Sequence, residues 1–273
     1  MATLNGIVRF SGQVGDFIFY RRDKKDVVRS KALTHQLSEN SKKSAKDFGE
    51  ASRNAAYIRK AFAAMVKDYG TGDLTTRLTK RMHAVFKGIP AAHAGHKKIS
   101  DGNLKLMEGF EFNAYTSLGS LLLQMPKITL QDNNLIGLRV PKLAAGHFVK
   151  AMHRSDAFML QVIVFNLDLK TGHYEILKVN DLKVSLDLAE FPGAKVAIPI
   201  EMEGERAVFV ALGISYLRDG HRKEDRRYFA CQILKCMHLK DGVEVEFIEP
   251  LKEAAITVEA EEMGLSWEMG ERE

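Results

Sequence analysis

The C-terminal half of the chain, from about Lys127, is a succession of runs rich in β-branched and aromatic residues, separated by turn signals such as Lys170-Thr171-Gly172 and Lys240-Asp241-Gly242. No helical pattern interrupts these runs, so the connections indicate an antiparallel sandwich or barrel and not a βαβ sheet. The sequence therefore predicts an antiparallel β-sandwich of Ig-like character over residues 126–250. The predicted strands lie near residues 134–140, 146–151, 157–168, 173–179, 182–188, 194–200, 206–217, 227–237 and 243–248.

A helical region precedes the sandwich and gives the chain an α+β fold class. The first predicted helix starts after a capping residue at Asn40 or Ser41 and ends before Gly70. A second helix is predicted over Leu74–Phe86, with Asp73 as its cap. A short joint between two helices indicates a helical hairpin. The first helix has apolar residues at spacings of three and four, which predicts one buried seam made of Phe48, Ala51, Ala55, Ile58, Phe62, Met65 and Tyr69.

Residues 1–32 form a predicted β ribbon. In the strand Asp16–Tyr20, Phe17 and Phe19 lie on one face and Ile18 and Tyr20 on the other, so both faces are apolar. Asp23-Lys24-Lys25 is the predicted turn before a further strand at Val27-Val28. A ribbon this small is marginal alone, so it must pack against something. It either covers the sandwich of its own chain or, with the reach of the polar linker 33–41, packs as an arm on a neighbouring subunit.

One motif series in the first 65 or so residues resembles a known set of proteins. Its elements are Gly12-x-Val14-Gly15, the aromatic Tyr20, then Val27-Val28-Arg29-Ser30-Lys31, and finally a helix preceded by Asn40-Ser41 and containing Phe48. This order is similar to that of uncharacterised Bacteroidota proteins with a glycine-rich β start, a V-V-R-x-K-like segment, a helical stretch and a β-rich C-terminal half. The resemblance implies no activity for any residue.

Charge is unevenly distributed along the chain. Residues 1–107 carry 21 Lys/Arg against 9 Asp/Glu, a net charge of +12, and residues 108–273 carry 19 against 26, a net charge of −7. A basic front half suits nucleic acid, and a basic and an acidic half together suit head-to-tail contact between copies. The predicted organisation is a ribbon or arm (1–32), a helical region (33–125), the sandwich (126–250) and an acidic tail (251–273) that holds the single tryptophan, Trp267.

Nothing in the sequence marks an enzyme, so we predict no catalytic residue, no cofactor and no metal. His93 and His96 lie close together but lack further ligands at a recognised spacing. Cys231 and Cys236 lie five residues apart in a predicted strand, which places them on opposite faces as reduced, buried thiols. No apolar run reaches the roughly 18 to 20 residues that span a bilayer, and residues 1–15 lack the features of a signal peptide. We therefore predict a protein without a membrane span, cytoplasmic as synthesised, with later release or assembly outside the cell left open.

The function that we predict is non-enzymatic self-assembly, as the structural subunit of a filament or phage-like particle. The N-terminal arm of one copy would add strands or apolar side chains to a neighbouring copy, so that the protein is its own partner in a homo-oligomer. The basic residues of the arm would meet an acidic surface such as that of the tail. The predicted subunit interface consists of Phe17, Phe19, Tyr20, Arg21, Arg22, Lys24, Lys25, Val27, Val28 and Trp267.

The alternative function is nucleic-acid binding by the basic helical hairpin, although acidic residues interrupt the basic ones and no known reading motif is present. A hydrolase or a sugar-binding sandwich is a third reading, and it would need a pocket built from loops. The residues predicted to contact nucleic acid are Lys42, Lys43, Lys46, Arg53, Arg59, Lys60, Arg77, Lys80 and Arg81.

Overall fold

The structure, a computed structural model, describes residues 2–3, 11–22, 25–31, 36–67, 72–131, 134–144, 149–150 and 152–250. The chain divides into two compact units, Met1–Lys42 and Lys43–Glu273. The predicted α+β class with a mostly β C-terminal half is confirmed.

The first unit contains a small antiparallel sheet. Its described strands are β1 (Ala2–Thr3), β2 (Gly12–Val14), β3 (Phe17–Arg22) and β4 (Lys25–Ser30), in the order β1-β4-β3-β2. Gly15 has φ of +56°, a conformation that glycine adopts without steric cost, and it forms the tight connection from β2 to β3. Lys25 was expected in a turn, but it pairs with Arg22 as the first residue of β4.

The helices begin and end at slightly different residues than predicted. They are α1 (Glu39–Ala61), α2 (Ala63–Val66), α3 (Leu74–Lys87) and α4 (Leu118–Leu121). Ser38, not Asn40 or Ser41, caps α1, because its Oγ accepts the amide of Ser41 at 3.2 Å. The first helix breaks at Phe62, whose ψ of 6° is not helical. Asp73 precedes α3 as predicted, but its carboxylate accepts from Arg77 Nε at 3.0 Å instead of capping a backbone amide.

Three antiparallel sheets contain the remaining described strands, and short 3-10 helices lie at Ala91–His93, Ile99–Asp101, Leu104–Met107 and Arg226–Tyr228. The large sheet has the order β10-β8-β13-β15-β16, with β9 paired to β8 and β14 to β13, and the smaller sheets are β12-β6-β5 and β11-β7. The strands are β5 (Lys127–Gln131), β6 (Leu135–Val140), β7 (Leu143–Ala144), β8 (Ala157–Asp168), β9 (Tyr174–Lys178), β10 (Leu182–Ser185), β11 (Glu190–Phe191), β12 (Ala194–Pro199), β13 (Glu205–Arg218), β14 (His221–Arg222), β15 (Phe229–Lys240) and β16 (Val243–Glu244).

The large sheet is buried on both faces. One face packs against α1, α2 and α3 in a core that includes Phe62, Phe112 and Phe165. The other face packs against β6 and β12 in a second core. Double burial explains why β8 and β13 are continuous apolar runs in the sequence. The sandwich prediction is thereby confirmed, and the helical residues from Lys43 onward share one unit with the sandwich.

A β-bulge corrects the prediction for the two cysteines. The pairing of β13 with β15 shifts register between Val210 and Ala211, which leaves Leu234 as an extra residue in β15. The alternation of side chains is reset there, so Cys231 and Cys236 both face the helices, not opposite faces. Both are free, buried thiols, as predicted.

Several short segments also differ from the prediction. Within 146–151, the described residue Val149 forms only an isolated bridge, to Leu122, and the strand predicted over 243–248 shortens to β16. Phe48 is 54% exposed instead of buried in the helical seam. Over the parts of the chain that the structure describes, no helix combines the length and apolar character needed to cross a bilayer.

Candidate functional site: the N-terminal sheet

The register of the N-terminal sheet gathers its apolar residues on both faces. Phe19 is paired with Val28, and Tyr20 with Val27, so each aromatic side chain shares a face with a valine. Val14 lies opposite Phe17 and extends the first of these faces. The sequence prediction of two apolar faces is therefore consistent with the pairing in the structure.

These apolar side chains are accessible to solvent. Among the described residues of β2, β3 and β4, none is buried, Phe17 is 52% exposed and Val14 is 62% exposed. Soluble proteins usually cover clustered apolar side chains, and large aromatic side chains contribute most of the binding energy when they become buried at interfaces. The sheet therefore presents exposed apolar side chains of the kind that become buried at interfaces. None of the described residues of β2, β3 and β4 forms a buried core.

Basic residues lie on both faces of the sheet, with Arg21 opposite Asp26 on the face of Phe17, and Arg22, Lys25 and Arg29 on the face of Tyr20. Arg21 and Arg22 are exposed at the end of β3, and Lys25 is exposed at the start of β4. Arg29 places its guanidinium 5.6 Å from the centre of the Tyr20 ring, a cation–π contact. Of the predicted interface residues, Lys24 and Trp267 lie outside the described residues. Val14 was missed, because its pairing with Phe17 becomes visible only once the register is known.

Comparison with known proteins assigns no family: the sequence matches no protein-family model and no curated protein. Within the described ranges, no group of three or more His, Cys, Asp or Glu side chains is arranged to hold a metal ion. Burial raises the pKa of the Cys231 and Cys236 thiols well above the usual range, so neither is an activated nucleophile.

The residues of the nucleic-acid alternative line more than one surface. Lys46 and Arg53 line a polar cleft that also contains Asp47 and Glu50, with Arg53 paired to Glu50. Arg59 and Lys80 line a different groove, between α1 and α3. The other predicted contacts are Lys42, Lys43 and Lys60, which are exposed on α1, and Arg77 and Arg81, which donate to backbone carbonyls of the 108–112 segment.

The placement of these Lys and Arg residues bears on the prediction of nucleic-acid binding. Phosphate binding along a strand of nucleic acid requires cations that face one continuous surface. Two of the predicted arginines instead hold the 108–112 segment against α3, which is a structural task. Nucleic-acid binding therefore stays a prediction, with Arg77 and Arg81 also bound to backbone carbonyls of their own chain.

An unusual carboxylate lies in that same segment, where Glu111 forms an isolated bridge with Gln232 of β15. Glu111 Oε1 accepts hydrogen bonds from the amide of Leu118 at 3.0 Å and from Gln232 Nε2 at 2.8 Å. Its Oε2 is buried without a hydrogen-bond partner among the described residues. Burial raises the pKa of Glu111 to about 7. Through these contacts the carboxyl group joins the segment before α4 to β15.

Proposed function

We propose that this protein is a non-enzymatic structural subunit that assembles with copies of itself, and that its N-terminal sheet forms the contact. The supporting observation is the exposure of Val14 and Phe17 and the partial exposure of Phe19 and Val28 on one face of that sheet. A sheet of this size gains little stability by itself. Burial of this face against a second copy would stabilise both the sheet and the assembly.

The edge of the sheet offers a second means of contact. β2 is the last strand in the described order, and it pairs on one side with β3. The backbone groups on the open side of an edge strand are ready to pair with another chain, which is how strand addition joins proteins. The exposed Arg21, Arg22 and Lys25 would then set the orientation and the association rate of the contact more than its affinity. Repetition of one such contact from copy to copy yields a filament or a closed particle.

A single substitution tests this proposal. Phe17→Glu places a charge in the exposed apolar face, and we expect it to weaken self-association by about 2 kcal/mol or more, roughly thirtyfold in Kd, because buried aromatic anchors contribute energies of this size. Sedimentation velocity over a concentration series measures the change.

The matched control is Val243→Glu, since Val243 is also an exposed apolar residue, at 69%, but lies in β16. We expect the control to associate as the unmodified chain does. Equal association of all three proteins would show that the face of Phe17 is not the contact.

A further inference from the structure

An apolar cavity lies inside the sandwich of the second unit, between the large sheet and the three-stranded sheet β12-β6-β5. Its volume is about 280 Å³. Protein interiors leave few voids larger than a water molecule, so a cavity of this size is unusual within a hydrophobic core. The buried part of its lining comes from β6, β8 and β13 and consists of Leu138, Val140, Leu160, Val162 and Leu212. This cavity is the inter-sheet cavity.

The inter-sheet cavity opens at one edge of the sandwich. β12 is an end strand of the three-stranded sheet, and its half-buried residues Ala194 and Val196 line the cavity. From the large sheet, residues 179–182 line it as well, where β9 leads into β10. The exposed residues of this lining are Asn180 and Lys195, which places the mouth beside them.

The wall of the inter-sheet cavity fits an aliphatic ligand. Each apolar residue of its lining is Leu, Val or Ala, and none is aromatic. Small-molecule sites typically combine such an apolar interior with a few polar groups that fix the orientation of the ligand. A methylene group occupies about as much space as a water molecule, about 30 Å³, so the cavity holds a chain of about nine carbons.

The charged groups at the mouth favour an anionic head group. The Lys195 side chain forms no ion pair with any described residue. Asp181 also lines the cavity, but its carboxylate accepts from Gln161 Nε2 at 3.0 Å. Two cations lie beside the same carboxylate, since Lys178 Nζ is 3.8 Å from Oδ1 and Arg222 Nη2 is 3.7 Å from Oδ2. With Lys195, this group has three cations and one anion, so its net charge attracts an anion.

We propose that the inter-sheet cavity binds a medium-chain fatty acid, with the aliphatic chain between the two sheets and the carboxylate beside Lys195. Burial of the chain supplies the affinity, and the charge of Lys195 sets the orientation of the ligand. The cavity lies in the second unit. The inference therefore does not depend on the proposed contact through the N-terminal sheet.

Titration calorimetry of the full chain with octanoate, decanoate and dodecanoate tests the size of the site. Each methylene that becomes buried strengthens binding about fourfold. We expect Kd to fall about fifteenfold from octanoate to decanoate, and by less than about twofold from decanoate to dodecanoate, because the last carbons do not fit inside. An equal fall at both steps, as on an open apolar surface, or no saturable binding would overturn the proposal.

Ala194→Phe tests the place of binding, because the ring fills the cavity next to its mouth. We expect it to weaken decanoate binding about tenfold or more. Ala197→Phe is the matched control, since Ala197 is exposed on the same strand and does not line the cavity. Equal decanoate binding by the two variants would contradict the proposal. The chain-length series uses the unmodified chain, so it stands whether or not either variant folds.

Lys195→Glu tests the head group. We expect this variant to bind decanoate severalfold more weakly and to bind the neutral decanol as the unmodified chain does. Lys183→Glu is the control, since Lys183 is exposed on β10 outside the lining, and it should affect neither ligand. An equal effect of Lys195→Glu on the two ligands, or no effect on decanoate, would overturn the assignment of a carboxylate.

Discussion

Phe62→Ala is expected to lower the free energy of unfolding by about 3–5 kcal/mol, a large share of the total stability of an ordinary domain. Phe62 is fully buried at the break between α1 and α2. Its ring lies 5.3 Å from that of Phe112 and 6.5 Å from that of Phe165. Truncation removes these contacts and leaves a cavity between the helices and the large sheet. Urea unfolding followed by circular dichroism measures the loss.

Phe48→Ala is the matched control, since both phenylalanines belong to the same predicted seam and Phe48 is 54% exposed. We expect it to change stability by no more than about 0.5 kcal/mol, as for most surface positions. A loss from Phe62→Ala as small as that from Phe48→Ala would mean that the helices do not share a core with the sheet. The comparison therefore tests whether the helical region is part of the folded body or a separate module.

The second large effect is a loss of stability as the pH rises through the range in which Glu111 titrates. Its pKa is raised by burial to about 7 in the folded chain, above the ordinary value of 4.5. Below pH 4.5 the Glu111 carboxyl group is protonated in both the folded and the unfolded chain, so it does not lower the stability. Between 4.5 and 7 the unfolded chain releases the proton first, and stability falls with rising pH. The full pKa shift corresponds to a loss of about 3 kcal/mol in the free energy of unfolding. Because the Glu111 side chain is partly exposed, we expect a loss of about 1–2 kcal/mol.

Glu111→Gln should remove this part of the pH dependence, because the amide keeps an oxygen for the Leu118 amide and cannot ionise. Thermal unfolding between pH 4.5 and 8 provides the measurement. Glu108→Gln is the control, since Glu108 accepts the amide of Cys236 at 2.9 Å from the same segment, and it should retain the slope. A slope that survives Glu111→Gln would assign the pH dependence to other groups.

The large sheet could be predicted from the sequence because its local signals agree. β8, β13 and β15 are apolar runs bounded by turn residues, and their predicted bounds lie within a few residues of the observed ones. Long-range features escaped prediction. The bulge at Leu234 depends on how β15 pairs with β13, and nothing in the local pattern marks it. The packing of the helices on one face of the sheet likewise follows from contacts between distant residues.

The candidate site was predictable in composition but not in geometry. The alternation around Phe17 and Tyr20 indicates two apolar faces, and the pairing in the structure agrees with it. Exposure could not be predicted, since the same pattern also describes a sheet buried in its own core. The helical seam shows the converse: Phe48 has the correct spacing for burial, yet it lies on the surface beside His83.

The central claim, that the N-terminal sheet joins copies of this chain, is tested most directly by light scattering after size exclusion. The full chain is compared with a truncated chain that starts at Thr34, which leaves α1 intact. The account predicts a large oligomer for the full chain and a folded monomer for the truncated one. A monomeric full chain together with an unfolded truncated chain would contradict the account, because the sheet would then belong to the core of its own chain.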